Sequence, residues 1–172
     1  MFINFADCIF AKAAETDVKD FVSLIDKRIE WMEQNDIKQW NSFGYKQRYS
    51  YAYFKREADS GHLYVLRDND SRIIAGAVLL ESDPRWQKND PQKPSLYVHN
   101  FVSLLSVKGA GKELLRRIEF LALQKMKVCV RLDVIISNDK LNSWYDDMDY
   151  YLIGTIVEGE YHGNLREKTL NG

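Results

Sequence analysis

Residues Ser106 to Glu119 read SVKGAGKELLRRIE, a short loop carrying Gly109 and Gly111 that runs straight into an amphipathic helix. The first backbone N–H groups of a helix have no partner inside it, and the aligned peptide dipoles leave partial positive charge at that end. Glycines placed there let the chain turn tightly and approach a ligand with no Cβ in the way. Lys108 and Lys112 flank them with formal positive charge, while Leu114, Leu115, Ile118, Leu121 and Ala122 form the apolar stripe that holds the helix to a sheet. The pattern predicts a phosphate cradle made mostly of backbone amides.

Spacing excludes two common owners of such a cradle. A Walker A loop needs GxxxxGK followed by Ser or Thr for magnesium, and here Glu113 follows Lys112 and the earlier glycine is missing. A dinucleotide-binding turn needs GxGxxG, and Leu114 occupies the place of the third glycine.

The chain has 172 residues, 45% of them hydrophobic and 13% aromatic, enough to bury a core without disulfides or a structural metal, and residues 1–172 are expected to form one domain. Its 24 basic and 25 acidic side chains leave no positive field for a nucleic-acid backbone or an anionic lipid surface. The longest apolar run, Ile73 to Leu80, is far too short for a bilayer, and the opening MFINFADCIFAK lacks the pattern of an export leader. Cys8 and Cys129 belong to no CxxC or Cys/His cluster, so neither a zinc site nor a disulfide framework is expected. Two reduced thiols in the cytoplasm are the expectation.

Along the chain, Ile9 to Ala14 reads as a short strand, and Thr16 and Asp17 cap a helix reaching about Asn35. Phe21, Leu24, Ile25, Ile29 and Met32 share one face of that helix. The connection NDIKQWNSFGY leads to a second helical piece from about Lys46 to Asp59. Leu63 to Arg67 and Arg72 to Leu80, around the turn DNDS, predict an antiparallel hairpin. A loop holding all three prolines, ESDPRWQKNDPQKPS, precedes a strand from Leu96 to Leu105. After the glycine-loop helix, which reaches about Met126, come a strand from Val128 to Ile136, a short helix from Asn138 to about Met148, and strands at Tyr151 to Val157 and Asn164 to Leu170. The order is α/β, with an antiparallel first half and a parallel strand-helix-strand unit in the middle.

Ser106-Val107-Lys108-Gly109-Ala110-Gly111 resembles motif A of the GNAT acetyltransferase superfamily, Gln/Arg-x-x-Gly-x-Gly/Ala, whose successive amides bind the pyrophosphate of acetyl-CoA. Ser106 stands where Gln or Arg is usual, and the loop is a little shorter than in common members. LDVIISNDKLNSWYDDMDYYLIGTIVEGEY resembles motif B: Asn138 opens a short helix bearing Asn142, Trp144 and Tyr145, and Tyr150 follows, with Asp149 in place of the usual glycine. GHLYVLRDNDSRIIAGAVLL is similar to the second and third strands of the family, including Ile74-x-Gly76. The likeness spans nearly the whole chain. It implies a central, mixed, mostly antiparallel twisted sheet of about six to seven strands flanked by about four helices, with the fourth and fifth strands splayed.

The resemblance further implies an N-acetyltransferase moving an acetyl group from acetyl-CoA to a primary amine, on a small molecule or a protein. Pantetheine would pair with the backbone of Phe101, Val102 and Ser103. The diphosphate would lie on Ser106, Val107, Lys108, Gly109, Ala110, Gly111 and Lys112, and Asn138, Asn142 and Tyr145 would complete the coenzyme site. Tyr145, a phenol protonated at neutral pH, is the candidate acid for the departing thiolate. Glu81 and His99 are the nearest candidate bases by topology, and a water relay is the alternative. Trp40, Tyr45 and Trp86 would wall the acceptor site or, equally, anchor their loops to the core. Arg116 and Arg117 read as a solvated helix face. Edge strands of such a sheet allow a homodimer. The competing expectation is a catalytically inactive acyl-CoA-binding or regulatory module, favoured by Ser106, Asp149 and the short loop.

Overall fold

In the computed structural model, which describes residues 3–171, seven strands form one sheet in the order β1-β2-β3-β4-β5-β7-β6. The strands are β1 (Ile9–Lys12), β2 (Leu63–Arg67), β3 (Ile73–Leu80), β4 (Ser95–Ser103), β5 (Cys129–Ile135), β6 (Tyr151–Glu158) and β7 (Tyr161–Thr169). The helices are α1 (Val18–Gln34), α2 (Tyr45–Arg48), α3 (Tyr51–Asp59), α4 (Ala110–Gln124) and α5 (Asp139–Asp146). The chain forms two compact units, Met1–Leu79 with Asn100–Arg117 and Leu80–His99 with Ile118–Gly172.

In the first unit β1, β2 and β3 are antiparallel neighbours. The turn between β2 and β3 is closed by Asp68, whose carboxylate accepts from the amides of Asp70 and Arg72 and from Arg72 Nε. α1 buries Phe21, Leu24, Ile25, Ile29 and Met32, the stripe expected from their spacing, together with Val18. Phe21 meets Phe54 of α3 edge-on at 5.1 Å and also presses on β3, where a Cβ at position 76 would come within 2.7 Å of its ring. That approach is why the strand carries Gly76.

In the second unit β5 and β7 are antiparallel over seven pairs, and β6 forms a hairpin with β7. β4 runs parallel to β5 at Ser95↔Cys129, Leu96↔Val130 and Tyr97↔Arg131, as a strand-helix-strand unit requires. Pairing stops there within this unit, although β5 continues to Ile135. A buried arginine organises the proline-bearing loop: Arg131 pairs with Glu167 at 2.8 Å, donates to Asp90 O and the Tyr97 hydroxyl, and lies over the Trp86 ring.

Several boundaries differ from expectation, β4 for instance ending at Ser103 rather than Leu105, and three differ for local reasons. The helix expected from Lys46 to Asp59 is two pieces, because Ser50 leaves helical geometry and its hydroxyl accepts from Tyr53 N to start α3 afresh. The first strand ends at Lys12 rather than Ala14, since the Ala14 amide donates to Asp17 Oδ2 at the turn into α1. The last strand begins at Tyr161 rather than Asn164, because Gly159, at φ +58, turns β6 directly into β7.

Candidate active site

The glycine loop lies in the first unit. Gly109 has φ +88, so the backbone itself demands a residue without a Cβ, and Phe5 packs 3.2 Å from where that Cβ would be. Gly111 is different: a Cβ there would meet Ser103 Oγ at 3.4 Å and Phe101 at 3.6 Å, ordinary contacts. The fold does not require the second glycine. Of the amides at the start of α4, Ala110 N donates to Val107 O and Glu113 N to Gly109 O. The amides of Gly111 and Lys112 have no acceptor among the described residues, and both lie where the helix dipole is positive.

Glu113 brings a carboxylate into this first turn, but Arg116 and Arg117 neutralise it at 2.7 and 2.6 Å and hold its carboxyl below the usual range. Arg117 also donates to Phe5 O and Cys8 O, tying the amino-terminal segment to α4. The pair is thus no solvated face, as the sequence suggested: Arg117 is a brace, and Arg116 remains exposed.

Phe101, Val102 and Ser103 end β4 directly after Asn100, which takes φ +51 inside a strand. Asparagine tolerates this left-handed conformation better than other residues with a Cβ. Two hydroxyls bind its amide: Asn100 Nδ2 donates to the Tyr45 hydroxyl at 2.8 Å, and the Tyr53 hydroxyl donates to Asn100 Oδ1 at 3.3 Å. Trp40 stacks on Tyr45 at 4.9 Å, and Tyr49 continues the row to Tyr53. Burial raises the Tyr45 pKa, so its hydroxyl stays protonated. Trp40 and Tyr45 therefore belong to an aromatic row attached to the turn in β4. Asn100 and Tyr53 escaped the sequence reading, although an asparagine amid strand residues is the available signal for a left-handed position.

The motif B residues lie in the second unit. Tyr145 is 4% exposed, its ring set edge-on between Trp144 at 4.9 Å and Tyr150 at 5.8 Å. Burial, and then the charge of Asp133, push its pKa up, against a smaller opposing effect of Arg166. Its hydroxyl bonds to no protein group among the described residues. Asn138 is the N-cap of α5, its Oδ1 accepting from Leu141 N at 3.1 Å. Asn142 was expected to touch the coenzyme, but its amide is used up within the protein. Nδ2 donates to Ile135 O and Asn138 O, and Oδ1 accepts from Asn164 and Arg166. It is a buried junction of β5, α5 and β7. Asp149 has φ +64, which is why glycine is usual there, and aspartate takes the position as a backbone substitute.

The two candidate bases have other engagements. Glu81 receives Lys125 at 2.7 Å and Lys127 at 2.8 Å, and these bonds lower its pKa to about 2, leaving it a very weak proton acceptor. Arg85 Nη2 donates to His99 Nδ1 at 2.7 Å, so that nitrogen's lone pair is occupied and the ring proton sits on Nε2. Nε2 lies 3.2 Å from Asp83 Oδ2, out of line for a hydrogen bond. Arg85 also pairs with Asp133, which accepts from the Tyr161 hydroxyl at 2.6 Å. Trp86 is not a substrate wall: it is 1% exposed and packs with Tyr97 and Leu165 beneath Arg131. Both cysteines are buried free thiols, and among the described residues no group of His, Cys, Asp and Glu could hold a metal ion. No helix among these residues is long and apolar enough to cross a membrane.

No family model matches the chain. The architecture is that of GNAT acetyltransferases. A GNAT-family acetyltransferase from Listeria monocytogenes 4b F2365 matches with a TM-score of 0.75 at 18% identity, over 95% of each chain. The PaiA N-acetyltransferase from Thermoplasma acidophilum, solved in complex with coenzyme A, matches with a TM-score of 0.73 at 15% identity, over 95% of this chain and 99% of that one. In sequence, the chain is 25% identical over 164 residues to the uncharacterized N-acetyltransferase YesJ of Bacillus subtilis (strain 168), covering 91% of this chain and 89% of the relative. The chain therefore has the fold of GNAT acetyltransferases and is similar in sequence to a protein named as an N-acetyltransferase.

Proposed function

We propose that this protein is an acetyl-CoA-dependent N-acetyltransferase that transfers an acetyl group to a primary amine by direct attack, with both units serving one domain. The observation that carries the reading is the pair of free amides on Gly111 and Lys112, beside a glycine that the fold does not require. These amides, with the charges of Lys108 and Lys112, bind the diphosphate, and Ser106, Val107, Gly109 and Ala110 shape the loop around it. The backbone of Phe101, Val102 and Ser103, aimed by the turn at Asn100, takes the pantetheine arm.

Bound acetyl-CoA supplies an acyl group activated as a thioester. A backbone N–H of β4 donates to the carbonyl oxygen, where negative charge grows as the neutral amine attacks. Tyr145 holds a proton well above neutral pH and gives it to the sulfur as the C–S bond breaks. The proton lost by the amine goes to water, since the Glu81 carboxylate is too weak a base and the His99 lone pair is occupied. Trp40 and Tyr45 form an aromatic side of the acceptor site. We place the activity in the cytoplasm, consistent with two unpaired thiols. Two copies pair through β6, the outermost strand, whose exposed Tyr151, Leu152, Ile153 and Val157 carry no charge.

Ser106 and the short loop are the departures that still favour the inactive module, because no backbone constraint explains them. Incubation with acetyl-CoA and a panel of amines, followed as free thiol, separates the two readings. Thiol release that requires an amine supports turnover. Thermal stabilisation by CoA with no thiol release from any amine supports the module instead.

A further inference from the structure

α1 brings two adjacent cations, Lys27 and Arg28, to the end of β4. With Leu24 they line one side of a cavity of about 190 Å³ whose other side is formed by residues 103–106. Ser106 is the first residue of the glycine loop, so the cavity lies at its entrance.

Arg28 is half-buried, and its guanidinium donates once, from Nη2 to Ser103 O at 2.6 Å, while lying over the Trp31 ring. No carboxylate pairs with it among the described residues, and burial alone lowers its pKa. The other arginines withdrawn from water behave differently. Arg67, Arg85, Arg117, Arg131 and Arg166 each have a carboxylate partner. Asp26, two residues before it on α1, is engaged by Lys46. A guanidinium has five donors in a planar fork suited to phosphate oxygens, and desolvating it without an anion is costly.

We propose that Arg28, assisted by Lys27, is a side-chain arm of the coenzyme's diphosphate site, supplying from α1 the donor that the loop lacks at Ser106. The inference rests on the coenzyme reading above. It gives the missing Gln or Arg of motif A a physical replacement: the charge arrives from a different element, at the same cavity. Lys27, exposed and with no ion-pair partner among the described residues, adds a second charge at the mouth.

The test is calorimetry of the full chain with CoA, dephospho-CoA and pantetheine, for the wild type, Arg28→Ala, Arg28→Lys and Lys27→Gln. Arg28→Ala is expected to weaken CoA and dephospho-CoA about tenfold or more, leaving pantetheine unchanged, as loss of a charge-assisted bond to the diphosphate requires. Arg28→Lys recovers part of the loss, and Arg28→Ala shows a shallower dependence of CoA affinity on salt than the wild type or Arg28→Lys. If Arg28→Ala does not fold, Arg28→Lys and Lys27→Gln, checked by their unliganded melting, carry the comparison. Equal CoA affinity in all variants overturns the inference and leaves the coenzyme reading standing. Equal losses for CoA and pantetheine also overturn it, since Arg28 would then be only a brace for Ser103. A wild type that binds no CoA sinks both.

Discussion

Tyr145 shows how one side chain acquires a chemical assignment from its surroundings. An ordinary phenol near pKa ~10 loses its proton in mildly alkaline solution, but burial and the Asp133 charge raise this one further. The acid form therefore persists with rising pH, and the wild-type rate should show no descending limb from this group through pH ~10. Tyr145→Phe should lower turnover by about 10²- to 10⁴-fold with acetyl-CoA affinity unchanged. Steady-state rates across pH, with separate coenzyme titrations, check both points. A wild-type decline near pH 9 that vanishes in the Phe variant, or equal turnover in the two, would remove Tyr145 from the acid role. Asn142 is the counter-example: its place in motif B suggested ligand contact, yet every polar atom of its amide has a partner inside the protein. Nothing in the local letters separates the two residues, because the difference lies in partners contributed by β5 and β7.

The loop and the first turn of α4 act as one element in which two glycines do different work. Gly109 serves the backbone: alanine at φ +88 would be strained and would crowd Phe5, so Gly109→Ala should cost about 1–2 kcal/mol of stability. Gly111 has no such backbone role, and if the proposed coenzyme reading holds, Gly111→Asp should change stability by no more than about 0.5 kcal/mol. Its carboxylate would nonetheless set negative charge beside the free amides, and CoA affinity should fall by more than tenfold. Denaturant melts and calorimetry on the two variants distinguish these effects. The opposite pattern, with Gly111→Asp unfolding and Gly109→Ala failing only to bind, would reverse the division of labour. The turn into α4 was legible because its glycines and the helix they open are consecutive in the chain. The break between α2 and α3 was less so, since a single serine had to outweigh a run of helix-compatible neighbours.

Across the whole molecule, the strand order leaves β6 at an edge with one neighbour, β7. Val157 is 64% exposed and Leu152 54%, and the strand has no charged residue before Glu158. Edges of this kind are usually blunted by lysine, proline or a covering segment. The wild type should sediment as a dimer, and Leu152→Lys with Val157→Lys should shift it to monomer while leaving CoA affinity intact. A monomeric wild type at every concentration tested, or a dimer indifferent to both lysines, would exclude β6 as the contact. The strand itself was readable from its apolar run, but its edge position was not, because β7 inserts between β5 and β6.

By itself the sequence determined what depends on near neighbours. The stripe of α1, the Asp68 turn, the parallel crossing from β4 to β5 and the glycine turn into α4 all follow from side chains a few residues apart, where helical and strand periods act. Only the tertiary structure decided which polar atoms are already spoken for. Trp86 lies under Arg131, Glu81 is held by two lysines, Asn142 is saturated, and Arg28 alone among the paired and half-buried arginines named above lacks a carboxylate. The reason is range: a hydrogen bond or ion pair is made or lost within a few ångströms, and those partners come from segments tens of residues away in the chain.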